Sequence, residues 1–225
     1  MRTISKDRYL EAAQLFHWAT KEHFVLWFTG RSDRHKRSEV VLPRLVKRGQ
    51  LIAKRFGKRL VYAAPRYGKS KLEYPFLEHG LGATEGLVRF WRSDMDSTIY
   101  PERLFRGGDI VPEWGIKNAD GKLLLFEFCT RSNFYKAGNI SSKVARYEKN
   151  FADFLMRYGG EPIVLFVVAI QKSELEGWFR KNMPIGERFY FTDYESFLSV
   201  PIGEQLITDI YIWGADGNYY PLKSS

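Results

Sequence analysis

Asp109 and Glu127 are the two carboxylates of this chain whose surroundings call for chemistry. They lie in GGDIVPEWG and KLLLFEFCT, short apolar segments joined by the turn-forming run Asn118-Ala119-Asp120-Gly121. The stretch Leu123 to Phe128 reads as a buried strand. An ionised carboxylate there costs several kcal/mol unless it is paired, protonated or bound to a cation. Asp109, read as part of the preceding hairpin strand, comes close to it. Two facing carboxylates on adjacent strands make a hard, oxygen-rich site suited to Mg²⁺ or Mn²⁺. Such a site is the skeleton of a metal-dependent centre for phosphodiester cleavage. Two blander readings stand beside it: Asp109 capping a turn after Gly107-Gly108, and Glu127 paired with a buried Arg or Lys.

Composition restricts the partners. The chain has 225 residues, 44% hydrophobic and 27% charged, which suits a folded domain pair with a real core rather than a disordered chain. Its single cysteine, Cys129, excludes an internal disulfide framework and a cysteine-based zinc site, and fits a reducing, cytoplasmic setting. No run of 18 apolar residues occurs and the N-terminus lacks a signal-type apolar core, so no membrane partner is expected. The net charge of +9 is uneven. Residues 1–72 hold 18 Lys and Arg against 5 Asp and Glu (+13), and residues 73–225 hold 17 against 21 (−4). A basic segment attached to a mildly acidic one points to two domains, the first docking on a polyanion.

The elements that would carry that charge can be read in order. Ser5 and Asp7 open a helical pattern through Tyr9, Leu10, Ala13 and Phe16. A second apolar stretch, Phe24 to Phe28, ends near Gly30. The basic run 31–37 then leads into a helix ending at Gly49, and residues 51–65 form a hairpin turning at Phe56-Gly57-Lys58. This layout resembles a winged helix, in which one helix enters the major groove of double-stranded DNA and the hairpin touches phosphates. Arg34, Lys36, Arg37, Arg44, Lys47 and Arg48 fall on or before the reading helix; Lys54, Arg55, Lys58 and Arg59 fall on the wing. Pro43 removes a hydrogen bond wherever it lies inside a helix, so the helix is expected either to start late, with Pro43 in its first turn, or to kink. The polar run 66–71 is read as the linker, giving domains 1–70 and 71–225.

The second domain reads as α/β (α+β). It has a helix over 74–92, a strand near 98–105 and the hairpin 109–128. An amphipathic helix over 140–158, a buried strand over 162–170, a helix near 172–182 and a strand over 188–191 follow. The aromatic stretches Phe189-Tyr190-Phe191 and Tyr219-Tyr220 read as packing.

That order, with its acidic hairpin, resembles the PD-(D/E)XK, or restriction-endonuclease-like, mixed-sheet fold. A winged helix followed by such a domain is similar to the replication-relaxation family and the MobC-type relaxases of mobilisable plasmids. The blocks LEHGLGATEGLVR (77–89), GGDIVP, LFEFCTR and SKVARYE carry the likeness to about residue 170. The resemblance implies a DNA-binding protein of a plasmid, phage or other mobile element whose second domain is a metal-dependent endonuclease or nickase. In it, Asp109 and Glu127 ligate Mg²⁺ or Mn²⁺, and Glu85, or else Glu78, adds a ligand or orients water. The family pattern ends in Glu-x-Lys, but position 129 is Cys. The resemblance therefore leaves the lysine to be supplied from the next helix by Lys143, with Arg131 as a phosphate clamp. The competing implication is a non-catalytic DNA-binding factor of replication, mobilisation or transcription built on a degenerate nuclease scaffold. A palindromic site would require a homodimer. His17, His23, His35 and His79 show no metal spacing, no histidine lies near Cys129 in sequence to act as its base, and no Walker-type loop occurs.

Overall fold

The computed structural model describes residues 5–28, 34–66, 74–93, 96–136, 138–182, 188–200, 211–213 and 219–221. It is mixed α/β and divides into two compact units, Met1–Val88 and Arg89–Ser225. The division falls at Val88 rather than near residue 70, because Leu77 and Leu81 of a long helix join the cluster of Trp18, Val61 and Ala63 in the first unit. Most of the expected linker, from residue 67 on, lies outside the described residues, as do residues 31–33 of the basic run.

The first unit begins with α1 (Lys6–Leu15), capped by the Ser5 hydroxyl, which accepts from the Arg8 amide. A two-residue strand, β1 (Ala19–Thr20), leads into α2 (Lys21–Trp27). Next come α3 (Arg34–Lys47) and the hairpin of β2 (Ile52–Phe56) and β3 (Arg59–Ala63). The strands form one antiparallel sheet in the order β1-β3-β2. Its core is aromatic: Tyr9 lies against Phe24 and Phe28, and Phe16 meets Phe24 edge-on. The Tyr9 hydroxyl bonds that of buried Ser38 at 2.9 Å, tying α1 to α3. Gly49, at φ +68°, ends α3, with the Gln50 amide reaching back to the Leu45 carbonyl.

Of the two outcomes expected for Pro43, the late start is excluded. Helix α3 starts nine residues earlier, at Arg34, and runs through the proline. The ring lies on the exposed side, and so does Glu39, whose carbonyl loses its amide partner. On an exposed face such a carbonyl is open to solvent, which lowers the cost of the missing bond.

The second unit continues from α4 (Tyr74–Ser93), within which the division falls. Strand β4 (Thr98–Pro101) stops four residues short of the expected end, where Glu102–Leu104 turn into a 3-10 helix. There follow β5 (Trp114–Lys117), β6 (Lys122–Cys129), α5 (Arg131–Tyr135), α6 (Asn139–Tyr158), β7 (Glu161–Val168), α7 (Lys172–Asn182), β8 (Phe189–Asp193) and α8 (Tyr194–Ser199). Two short strands, β9 (Tyr211–Trp213) and β10 (Tyr219–Pro221), complete the sheet, their side chains lying outside the described residues. The order is β10-β9-β8-β7-β6-β5-β4, with β6, β7 and β8 parallel and the other pairings antiparallel. Alternation on β6 sends Leu123, Leu125 and Cys129 into the cluster with Phe166, Phe191, Tyr147 of α6 and Phe179 of α7. Phe126 points the other way and stacks on Trp114 at 4.3 Å, beside Phe90 and Phe197.

Replacing Pro43 by Ala restores an amide to the Glu39 carbonyl on an exposed face. Urea unfolding is expected to show a gain of about 1–3 kcal/mol, net of the looser unfolded chain. A loss would mean that the ring makes a contact the helix needs.

Candidate nucleic-acid interface and carboxylate centre

The first unit presents the expected basic groups at its surface. Lys36, Arg44, Lys47 and Arg48 are exposed on and just after α3, Arg37 is half-buried, and the Arg34 side chain lies outside the described residues. Lys54, Arg55, Lys58 and Arg59 are exposed around the hairpin, where Arg55 pairs across from Leu60 and Phe56 from Arg59. Gly57, at φ +56°, supplies the left-handed residue of the two-residue turn. Among the described residues these eight exposed cations of helix and hairpin have no carboxylate partner. In the second unit the pattern is the reverse: Arg106 pairs with Glu102, Arg131 with Glu174, Lys149 with Asp109, Arg157 with Asp153 and Arg188 with Glu161.

Glu85, the expected additional ligand, belongs to the first unit by contact. Its Oε2 lies 2.7 Å from Nε2 of His23, both groups being largely buried. Nδ1 of His23 accepts the Thr20 amide, while the Thr20 hydroxyl accepts the His23 amide, which caps α2. The Thr20 bond fixes the tautomer, so the Nε2 proton is donated to Glu85. Glu85 is thus occupied in holding α2 to α4. Glu78 is half-buried on α4.

The second unit places Glu127 as the sequence suggests and Asp109 otherwise. Glu127 is 1% exposed toward the C-terminal end of β6, opposite Phe166 of β7 and one residue past the end of the β5 pairing. Asp109 is not on the hairpin strand, which begins at Trp114; it sits in the exposed turn before it. Both are held by one helix. From α6, Lys143 Nζ reaches Glu127 Oε2, and the Tyr147 hydroxyl donates to Glu127 Oε1 at 2.7 Å. One turn along the adjacent face, Lys149 Nζ lies 3.0 Å from Asp109 Oδ2, and Arg146 donates to the Asp109 carbonyl at 3.2 Å. Residues four apart on a helix share a face, so Lys143 and Tyr147 meet the same carboxylate.

The expected facing of Asp109 and Glu127 from adjacent strands is therefore not seen. Both oxygens of Glu127 already receive donors, and Asp109 answers to a lysine of its own. The carboxylate that the sequence reading missed is Glu113. Its amide donates to the Phe126 carbonyl at 3.0 Å, and its charge is felt by Lys143, Tyr147 and Cys129. The signal was the Pro112-Glu113 step immediately before the apolar run Trp114-Gly115-Ile116, nearer the strand than Asp109. Lys143 was foreseen as the cation from the next helix; Tyr147 was read only as an inward-facing core residue.

The surroundings push three protons onto their groups. Burial would lower the Lys143 ammonium, but the Glu127 carboxylate outweighs it, and the net shift is upward. Burial raises the Tyr147 hydroxyl well above its usual range, and the charge and hydrogen bond of Glu127 add to that. Burial pushes the Cys129 thiol up to about 12, with Lys143 pulling the other way. A thiol so protonated is a poor nucleophile at neutral pH. Arg131, the expected phosphate clamp, lies with Glu174 and over the Tyr135 ring.

Comparison with known proteins finds no matching family model, no matching curated protein and no matching solved structure. No helix among the described residues is long and apolar enough to cross a membrane.

Because all three groups keep their protons longer in the fold than in the unfolded chain, their contribution is full below the unfolded pKa values. It is lost as pH rises through the folded ones. Stability is expected to hold to about pH 9 and then fall, Cys129 acting first from its ordinary 9.0. Chemical unfolding from pH 7 to 11 checks this: Cys129→Ala should flatten the first part of the decline. Lys143→Met should cost about 3–5 kcal/mol at pH 7 by stranding Glu127. A pH profile unchanged in Cys129→Ala would place that thiol outside the coupled cluster.

Proposed function

We propose that this protein binds double-stranded DNA through its first unit, which acts as a winged helix. The second unit is then a nuclease-like scaffold that does not cut. The observation that carries the reading is the set of eight exposed cations on and just after α3 and around the β2–β3 hairpin that have no carboxylate partner among the described residues. A solvated surface normally intersperses charges of both signs, as the second unit does. A concentrated unpaired set costs self-repulsion that a polyanion relieves. In this reading α3 lies along the major groove and Lys54, Arg55, Lys58 and Arg59 rest on phosphates to either side. The scaffold role for the second unit is supported by the saturation of Glu127 by Lys143 and Tyr147 and by the placement of Asp109 outside the hairpin. The setting the resemblance suggests is replication or mobilisation of a plasmid, phage or integrated element.

A second reading, metal-dependent nicking, is favoured by one specific feature. The lysine absent at position 129 is replaced at the same carboxylate by Lys143 from α6, with the Glu113 charge nearby. In that reading Glu113 and Glu127 are the carboxylates that would hold Mg²⁺ or Mn²⁺.

Binding should weaken steeply with salt, the slope of log K against log[salt] approaching about −7 if all eight cations meet phosphate. Neutralising the four hairpin cations to Gln should reduce that slope by about 3–4 units and leave the fold intact. An unchanged slope removes the hairpin from the interface. Nicking of supercoiled plasmid in Mg²⁺ or Mn²⁺ decides between the two readings. The proposal expects none, whereas nicking abolished by Glu127→Gln in a folded, DNA-binding variant would install the second.

A further inference from the structure

We infer that Val40 is a specificity-determining residue through which α3 reads the 5-methyl group of a thymine; the inference rests on the DNA-binding reading above. With successive residues about 100° apart around the helix, Val40 falls about 20° from Lys47 and about 40° from Lys36. It lies nearly opposite the side formed by Ser38, Val41, Leu42 and Leu45, all of which are buried. Val40 is 42% exposed, and Pro43, one turn on, is exposed as well. The outermost row of the helix is therefore not uniformly basic. Two apolar side chains occupy its middle, with Lys36 toward one end and Arg44 and Lys47 toward the other.

The flanking cations explain attraction to a phosphate backbone, but Val40 adds nothing to that. It has no donor or acceptor, so it cannot recognise any base through hydrogen bonds. Among the groups on the floor of the major groove, the thymine methyl is the apolar one, and it is the feature a valine complements. Valine in a helix keeps one strongly preferred rotamer, so its methyl groups project in a fixed direction and lose little entropy on contact. Arg44, at the following turn, is placed to take the neighbouring base pair, for which guanine offers two acceptors to a guanidinium. The row thus fits a short T-containing step read at its centre, with phosphate contacts at both ends.

The test uses the full chain. A preferred duplex is selected from a random pool, and each thymine is then replaced in turn by uracil, which lacks only the 5-methyl group. Affinities are read by fluorescence anisotropy. Loss of one buried methyl contact should weaken wild-type binding about fourfold at one position. Val40→Ala should bind the thymine and uracil duplexes equally, and Val40→Thr, which keeps one methyl, should restore part of the difference. Binding of scrambled DNA should be the same in all three proteins, because Val40 touches no phosphate in this arrangement. Uracil sensitivity that persists in Val40→Ala would overturn the assignment. Salt-dependent binding with no preferred duplex would also overturn it, while leaving the DNA-binding reading standing. Failure to bind any DNA at low salt would overturn that reading and this inference with it.

Discussion

A carboxylate within a buried strand is the constraint on which the second unit turns. Glu127 is flanked on β6 by Leu125 and Cys129 and faces Phe166 across the parallel pairing with β7. Left alone there, its charge would cost several kcal/mol. The chain answers with α6, the crossover between β6 and β7, which must present a cation and a hydroxyl at the same point. Lys143 and Tyr147 do so because four residues make about one turn. Once that contact is made, the rotation of α6 about its axis is set. Phe154 then meets Phe105, Tyr158 donates to the Leu104 carbonyl, and Arg146 and Lys149 fall over the Asp109 turn. Polar satisfaction chooses the rotation; apolar packing along the helix supplies most of the adhesion.

The first unit is organised by different physics. Its interior is an aromatic and aliphatic cluster with a buried hydroxyl pair, Tyr9 and Ser38, a hydrogen bond from His23 to Glu85, and an ion pair of Lys21 with Glu39 at the surface. Little of its charge is spent on the fold, so the cations of α3 and the hairpin remain at the surface. Such a surface is destabilising in isolation and becomes less so as salt screens it or as an anion covers it. The ion pairs that tie down the surface cations of the second unit are therefore not found, among the described residues, around those of α3 and the hairpin.

Much of this was legible in the sequence, and the failures are specific. The helices over α4, α6 and α7 and the strands β6 and β7 follow from apolar periodicity and continuous apolar runs, because those patterns record which faces must be buried. The turn at Asn118 to Gly121 could be read because its residues are chosen for backbone geometry, Gly121 taking φ +78°. The late start expected from Pro43 failed because propensity weighs a proline by its own cost. An exposed proline loses one bond, while Val41, Leu42 and Leu45 on the opposite side keep the helix in register. Asp109 misled because a Gly-Gly-Asp run reads equally well as strand edge or turn, and only register shows that β5 starts at Trp114. Glu113 and Tyr147 were missed because their relevance depends on a cross-strand and a helix-to-sheet approach that local pattern does not contain.

Position 129, where the nuclease pattern that the sequence resembles carries a lysine, holds a cysteine that suits the same cluster. Cys129 lies two residues after Glu127 on the same face of β6 and is 1% exposed, and its thiol feels the charge of Lys143 directly. A lysine at 129 would set a second ammonium against the first, in a pocket whose one fully buried carboxylate already has two donors. The repulsion would be felt at low dielectric, where it is strongest. The pocket accommodates one cation at this carboxylate, delivered either along the strand or from the helix. With Lys143 arriving from α6, the small neutral thiol is the side chain that fills the strand position without unbalancing the charge.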